Sequence, residues 1–293
     1  MRDIFIDYLF KKAKSNKKII LIVGDVGFRV VDKFEKKFPK RFFNAGVSEQ
    51  NMVTMAAGLA SEGYLVFIYS IANFTIFRAA EQIRNDVDYH KLPVIIVSVG
   101  AGLSYGNLGY SHHMIQDFGI IRLMPNMKIV APCDKHELEG SLEGIIKNPS
   151  PTFIRLGGRQ KNIYTKPKLL IKELLFNKII NDSSSKLILC TGQIVSFALA
   201  LKEKNFKNFS IFSCPVWGQS YKNQALNFLS KWKEILVVEE HLVDCGFYSW
   251  ILEILNSKDL LKKIKIKSFS LSNTIIGKVG NKDYLDKLGG LRT

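Results

Sequence analysis

Residues 44–63, NAGVSEQNMVTMAAGLASEG, hold the pattern on which the fold turns. Ser48 stands where an N-cap belongs, an Ala- and Met-rich stretch follows it, and Gly63 supplies a stop, so Ser48–Ser61 reads as a helix. Continuous apolar runs stand on either side, Lys18–Val23 before it and Tyr64–Tyr69 after it. Pro93–Val99 and Met127–Ala131 have the same form. Apolar residues that run on rather than alternate mark strands covered on both faces. Further helices are expected over Phe74–His90 and over Asp134–Lys147, the second opening with Asp134 after Pro132. This alternation predicts a mostly parallel sheet covered by helices, the α/β class.

A second series follows a break. Gly157–Lys168 carries two glycines, many polar residues and Pro167. Beyond it, strands over Lys186–Cys190, Phe209–Phe212 and Ile235–Val238 alternate with helices over Ile194–Lys202, Lys222–Lys231 and Phe247–Leu255. The expected organisation is two α/β domains, 1–165 and 181–293, joined by a linker over 166–180.

The chain has 293 residues, with 42 Lys+Arg against 26 Asp+Glu and a formal charge of +16. The basic residues are scattered in short pairs such as Lys17-Lys18 and Lys262-Lys263, without the block that marks a nucleic-acid arm. They read as a solvated surface that also attracts anionic substrates, phosphorylated sugars being the obvious class. Cys133, Cys190, Cys214 and Cys245 form no CxxC pair. Neither a zinc framework nor a disulfide scaffold is expected, and a reduced cytoplasmic chain is favoured. The opening MRDIFIDYLFKKAK is too short in apolar residues for a signal peptide, and no run approaches the ~20 residues a bilayer needs.

The sequence contains no GxxxxGK[ST], GxSxG or HExxH, and no metal-ligand set is expected. Gly100, Gly102 and Gly106 follow a strand, but Tyr105 stands where a dinucleotide fingerprint needs glycine, so they read as a tight loop. Glu49 opens an otherwise apolar helix. A carboxylate there complements the helix dipole, worth about 0.3–1 kcal/mol. It can instead face a buried site and share a proton with a ligand nitrogen.

The neighbouring motifs bear on that choice. VSEQ at 47–50 is followed by YSIANFTIFRAAEQIRND after one strand, and by GAGLSYGNLGYSHHMIQDFGIIRLMPNMKIVAPCD after the next. In this order they resemble the pyrimidine-binding domain of thiamine-diphosphate enzymes of the transketolase and deoxyxylulose-phosphate synthase type. VEEHLVDCG at 238–246 and IGKVGNKDYLDKLGGL at 276–291 are similar to the C-terminal domain of the same enzymes. The GDG…N motif that holds Mg2+ and the cofactor's diphosphate in full-length members is absent, since Gly24-Asp25 is followed by Val26. The chain therefore resembles the C-terminal subunit of a split transketolase. The resemblance implies thiamine diphosphate and Mg2+ held mainly by an N-terminal partner subunit, in an α2β2 heterotetramer.

Roles follow by matching residue. Glu49 matches the glutamate that bonds the aminopyrimidine nitrogen, so that the exocyclic nitrogen can take the thiazolium C2 proton. Phe74 matches the stacking aromatic, with Phe77 and Ile71 beside it, although the Phe74/Phe77 spacing also suits a helix's core face. Asp25 resembles a loop that approaches the cofactor from across the interface between chains. His112 matches a histidine that meets the substrate carbonyl or hydroxyls, whereas His113 points elsewhere. Arg155 and Arg159, in FIRLGGRQ, resemble a basic position at the substrate mouth, with a surface salt bridge as the alternative for each. His90, His136 and His241 read as structural.

Three positions depart from the family pattern: Tyr110 stands where a small residue or proline is usual, His113 stands in place of glutamine, and the third bears on the donor. Leu108 stands where members acting on simple sugar phosphates place an aspartate that reads a donor hydroxyl. Two-carbon ketol transfer leads the readings. A deoxyxylulose-phosphate-synthase-like or decarboxylating carboligase using a 2-keto acid comes next, and a keto-acid dehydrogenase β-subunit shares the architecture. A non-catalytic assembly subunit is the alternative of another class, and a nucleic-acid binder lacks any recognisable module.

Overall fold

Burial follows the continuous apolar runs. The computed structural model describes residues 1–71, 73–158, 162–167, 169–182 and 184–291. The first half runs α1 (Arg2–Ser15), β1 (Ile19–Val23), α2 (Asp32–Lys37), β2 (Phe42–Asn44), α3 (Glu49–Ser61), β3 (Leu65–Ile71), α4 (Phe74–Arg78), α5 (Ala80–Gln82), β4 (Val94–Val99), α6 (Asp117–Ile121), β5 (Lys128–Val130), α7 (Lys135–Lys147) and β6 (Thr152–Leu156). The second runs β7 (Leu175–Ile180), β8 (Lys186–Cys190), α8 (Val195–Asn205), β9 (Ser210–Trp217), α9 (Lys222–Leu229), β10 (Glu234–Leu242), α10 (Phe247–Asn256), β11 (Lys265–Leu271) and α11 (Lys282–Leu288). Every residue of β1 and of β4 is buried, as strands covered on both faces require.

Among the described residues the strands form one sheet, ordered β11-β10-β8-β9-β5-β6-β4-β3-β1-β2, with β7 paired to β9 beside that path. Pairing is parallel from β2 to β5 and again from β9 to β11. The halves meet through the antiparallel pair β5/β9, with Ile129 opposite Trp217 and Val130 opposite Val216. The two parallel series expected from the sequence are thus edges of one continuous sheet.

Two expectations need correction. The stretch 166–180 is not all linker, because residues 175–180 form β7, antiparallel to β9. Its positions are half-buried except Lys178, so it lacks the wholly apolar signature of the inner strands. The helix expected over Phe74–His90 breaks after Arg78, where Ala79 leaves helical backbone, and resumes through a π-helical turn at Ile83–Asp88. No Gly or Pro marks that break. The opening segment is helical throughout α1, with Phe5, Ile6, Leu9 and Ala13 on its buried stripe.

The order β2-β1-β3 has a direct consequence. From β1 the chain moves to one side for β2 and to the other for β3, so a topological switch point lies between β1 and β3. In open α/β sheets, ligands bind outside the carboxyl ends of the strands at such a point.

Candidate active site at the carboxyl ends of the strands

Four loops converge at the switch point, one after each of β1 to β4. Asn44, the last residue of β2, organises two of them. Its side-chain oxygen accepts the N–H groups of Asp25 (3.1 Å) and Gly46 (3.0 Å), and its Nδ2 donates to the Asp25 carboxylate at 3.1 Å. Asp25 has a left-handed φ of 54°, and its side chain is exposed on this turn. Ser48 does stand at the N-cap of α3, but its hydroxyl donates backwards to the Ala45 carbonyl (2.6 Å) rather than capping.

Glu49 is the first residue of α3 and only 6% exposed. It occupies the dipole-complementing position and faces an ionic partner as well, since Arg78 Nη1 donates to its Oε1 at 2.6 Å. The Arg78 guanidinium lies 4.4 Å from the centroid of the Phe74 ring, one turn back on α4. Phe74 in turn meets the His112 imidazole edge-on, at 5.1 Å between centroids. Glu49, Arg78, Phe74 and His112 therefore form one contiguous cluster, drawn from α3, α4 and the loop after β4.

That loop is built from short turns. His112 closes a 3-10 turn over Tyr110–His112, its N–H bonded to the Gly109 carbonyl at 2.9 Å, with Ser111 Oγ 3.0 Å from its Nδ1. His113 points away from His112 and is fully buried. Burial holds its pKa below the ordinary histidine value, partly offset by the Gly106 carbonyl 3.4 Å from Nε2. Asn73 donates to the His113 carbonyl, and its own side-chain oxygen is buried beside the cluster without a partner among the described residues.

The remaining candidates are placed less centrally. Ile71 is half-buried at the end of β3, Phe77 is 47% exposed beyond Phe74, and Leu108 is 59% exposed on the Gly106–Leu108 turn. Arg155 requires correction. It does not reach a substrate mouth: it is buried, pairs with Asp117 at 2.8 Å, and donates to the carbonyls of Met114 and Glu240. A charge on the central strand β6 points into the sheet's covering layers, and there it needs an internal partner. Arg159 lies outside the described residues.

Two features escaped the sequence reading. Arg78 had only its spacing to betray it, four residues past Phe74 on one helical face. A cavity of 220 Å³ opens beside the His112 loop, between the start of α1 and Gly100, Ser104, Tyr105, Gly157 and Gly158, with Arg2 in its wall. Among the described residues, no group of three or more His, Cys, Asp and Glu could hold a metal ion.

A mostly parallel sheet with a carboxylate, an aromatic ring and an imidazole gathered at its switch point marks an α/β protein with a candidate ligand site at that point. The transketolase pyrimidine-binding domain matches residues 1–161. A Methanocaldococcus jannaschii protein named for the C-terminal section of a transketolase is 35% identical over 99% of this chain and 92% of its own length. A 1-deoxy-D-xylulose-5-phosphate synthase of Clostridium perfringens is 32% identical over 98% of this chain, which spans 46% of that enzyme. One chain of a Phocaeicola vulgatus apulose-4-phosphate transketolase is 34% identical over 53% of this chain and 50% of its own length. Among solved structures, a split-gene transketolase described as an inactive beta4 tetramer superposes with a TM-score of 0.81 at 25% identity, covering 99% of this chain and 93% of that one. A Pichia stipitis transketolase shares the fold with a TM-score of 0.80 at 20% identity, and this chain spans 43% of it. The chain belongs to the transketolase family, which is thiamine diphosphate dependent.

Proposed function

We propose that this chain is the pyrimidine-binding half of a transketolase-type transferase that moves a two-carbon ketol unit between sugar phosphates. A separate chain holding the diphosphate and Mg2+ completes the site, in an α2β2 assembly. The observation that carries the reading is the Glu49–Arg78–Phe74–His112 cluster, set at the switch point and half-open to solvent. The residues present suit an aminopyrimidine: a nearly buried carboxylate, a flat ring joined to it through Arg78, and the Asn73 oxygen, which has no partner among the described residues.

Bound there, thiamine diphosphate supplies the nucleophilic carbon that the ketol unit needs. Glu49 takes and returns a proton at a ring nitrogen, and the fixed start of α3 holds its carboxylate in place. Phe74 gives the ring its stacking surface, Ile71 and Phe77 close its flanks, and Asp25 approaches from the neighbouring turn. Ser111 engages His112 Nδ1, which leaves Nε2 to meet a substrate carbonyl or hydroxyl. Arg2, in the wall of the adjoining cavity, offers a cation for a substrate anion.

The test starts with recovery of the partner chain by affinity capture from the native host, followed by reconstitution. Glu49→Gln is expected to lower ketol transfer by at least about a hundredfold, the scale of a positioned proton-transfer group. Full activity in that variant would remove Glu49 from the mechanism. Cofactor binding without any turnover by the wild type would favour the non-catalytic alternative.

Leu108 favours a second reading. An apolar side chain at the loop tip cannot bond a donor hydroxyl, and a deoxyxylulose-phosphate synthase is similar over nearly the whole chain. In that case the donor is a 2-keto acid. Supplying pyruvate in place of a ketose phosphate, and measuring carbon dioxide release, separates the two.

A further inference from the structure

We propose that Glu240, clamped by Lys282, is a positioning residue that sets where the loop after β4 presents His112. The second half of the chain contributes no side chain to the Glu49–Arg78–Phe74–His112 cluster, yet it anchors the loop that supplies one of the four. The proposal rests on the reading above only for what His112 does.

Residues 100–113 contain two 3-10 turns and no longer element, so the loop takes its shape from a few anchors. The first is a pair of backbone bonds between Gly102 and Met114, at 3.0 and 2.9 Å, which ties off the loop two residues after His112. The second is Glu240, reaching across from β10. Its Oε1 accepts the Leu103 N–H at 3.3 Å, and its carboxyl group fills the space under Gly102. A Cβ at Gly102 would stand 2.1 Å from the Glu240 carboxyl carbon, and φ there is +62°, so only glycine lets the loop settle on the carboxylate. The third is α11 with the turn before it. Gly280 N–H donates to the Gly106 carbonyl at 3.3 Å, and Leu285 packs so closely that a Cβ on Gly106 would lie 2.5 Å from it.

Lys282 joins the second and third anchors. From the first turn of α11 its ammonium pairs with the Glu240 carboxylate, and with Asp286 at 2.9 Å. Burial alone would lower the Lys282 pKa, but the two carboxylates outweigh it and keep the ammonium charged. Glu240 is only 6% exposed, so without Lys282 its charge is left, among the described residues, facing one amide N–H in a desolvated seam. The carboxylate must then turn toward water, and Gly102 and Leu103 lose their seat. Arg155 reinforces the joint, because one guanidinium nitrogen serves both the Met114 and the Glu240 carbonyls.

The test uses the full chain, with Lys282→Met, Lys282→Arg and Glu240→Gln. In Lys282→Met, amide exchange at residues 103–113 should quicken by about tenfold or more, with β1, β3 and β4 unchanged. Lys282→Arg should restore protection. The His112 imidazole resonance, assigned by its loss in His112→Asn, should shift in Lys282→Met and return in Lys282→Arg. If Lys282→Met does not fold, Glu240→Gln replaces it. That variant keeps the volume and the Leu103 acceptor while removing the ion pair, and faster exchange confined to 103–113 is again expected. Unchanged loop exchange, or a rise spread evenly over the sheet, overturns the proposal. Absence of ketol transfer with an ordered loop would overturn the proposed function and leave this inference standing.

Discussion

His112 and His113 are chemically identical neighbours, and their backbone sorts them into different trades. The 3-10 turn leaves His112 half-exposed against Phe74, while the extended residue after it drives His113 into the core. His241 and Glu239, close together on β10, show the same dependence on surroundings. Burial lowers the His241 pKa to about 4, although Asp117 nearby pulls it the other way. Burial pushes Glu239 up to about 7, against the N–H groups of Phe247 and Tyr248 that favour its ionised form. A histidine with a lowered folded pKa contributes stability that is full above its unfolded value, about 6.5, and is lost as pH falls toward 4. A glutamate with a raised folded pKa contributes stability that is full below about 4.5 and is lost as pH rises toward 7. Between roughly pH 4.5 and 6.5 the two oppose each other. His241→Gln removes one side of the balance. Its stability relative to wild type should therefore tilt downward by about 1–3 kcal/mol as pH rises through that window, whatever its offset. Urea midpoints at three pH values measure the tilt, and parallel curves would show that His241 is not held neutral.

Helices and strands differ in how much of their placement the sequence discloses. The inner strands were legible because burial on both faces leaves an unbroken apolar run, as in IILIV and VIIVSV. The break of α4 after Arg78 was not legible, since neither Gly nor Pro marks it and a π-helical turn follows at Ile83–Asp88. The candidate site divides the same way. Glu49, Phe74 and His112 follow from motif order, whereas the Arg78 bridge and the buried fate of Arg155 depend on contacts 29 and 38 residues away in the chain. The connection between the halves was legible as a break but not for its seat. Gly140 and Gly144 lie one turn apart on α7 and let the backbone of residues 169–171 lie against the helix, with Ile171 N–H bonded to the Gly140 carbonyl at 3.1 Å. A Cβ at Gly144 would stand 2.0 Å from the Ile171 carbonyl oxygen. Alanine gains about 1 kcal/mol of helix propensity over glycine, but overpacking against backbone costs about 1–3 kcal/mol, so Gly144→Ala should be net destabilising. Gly58 on α3 meets nothing within 4 Å, and Gly58→Ala should stabilise by about 0.5–1 kcal/mol. Thermal melts of the pair decide the point, since propensity alone would move both upward.

At the scale of the whole molecule, the two parallel series are bound too closely to behave as independent bodies. The β5/β9 ladder continues the sheet across the seam, and Ala131 N–H extends it to the Pro215 carbonyl at 2.8 Å. Leu242 N–H bonds to the Ile115 carbonyl at 3.0 Å, Arg122 pairs with Glu253, and Arg155 reaches β10 from β6. One apolar cluster runs from Phe5 and Val23 in the first half to Trp217, Trp250 and Ile254 in the second. Opening either half alone would expose this shared surface and leave Arg155 and Asp117, both almost wholly buried, without the layer that covers them. The free energy of partial unfolding then approaches that of global unfolding, the condition for a single cooperative transition. All three tryptophans, Trp217, Trp232 and Trp250, report on the second half. Their fluorescence in urea should therefore change at the same midpoint as amide protection in β1, β3 and β4, which report on the first. A tryptophan midpoint below that of β1, β3 and β4 would mean that the second half unfolds first, and that His112 loses its anchors while the strands beneath it are still folded.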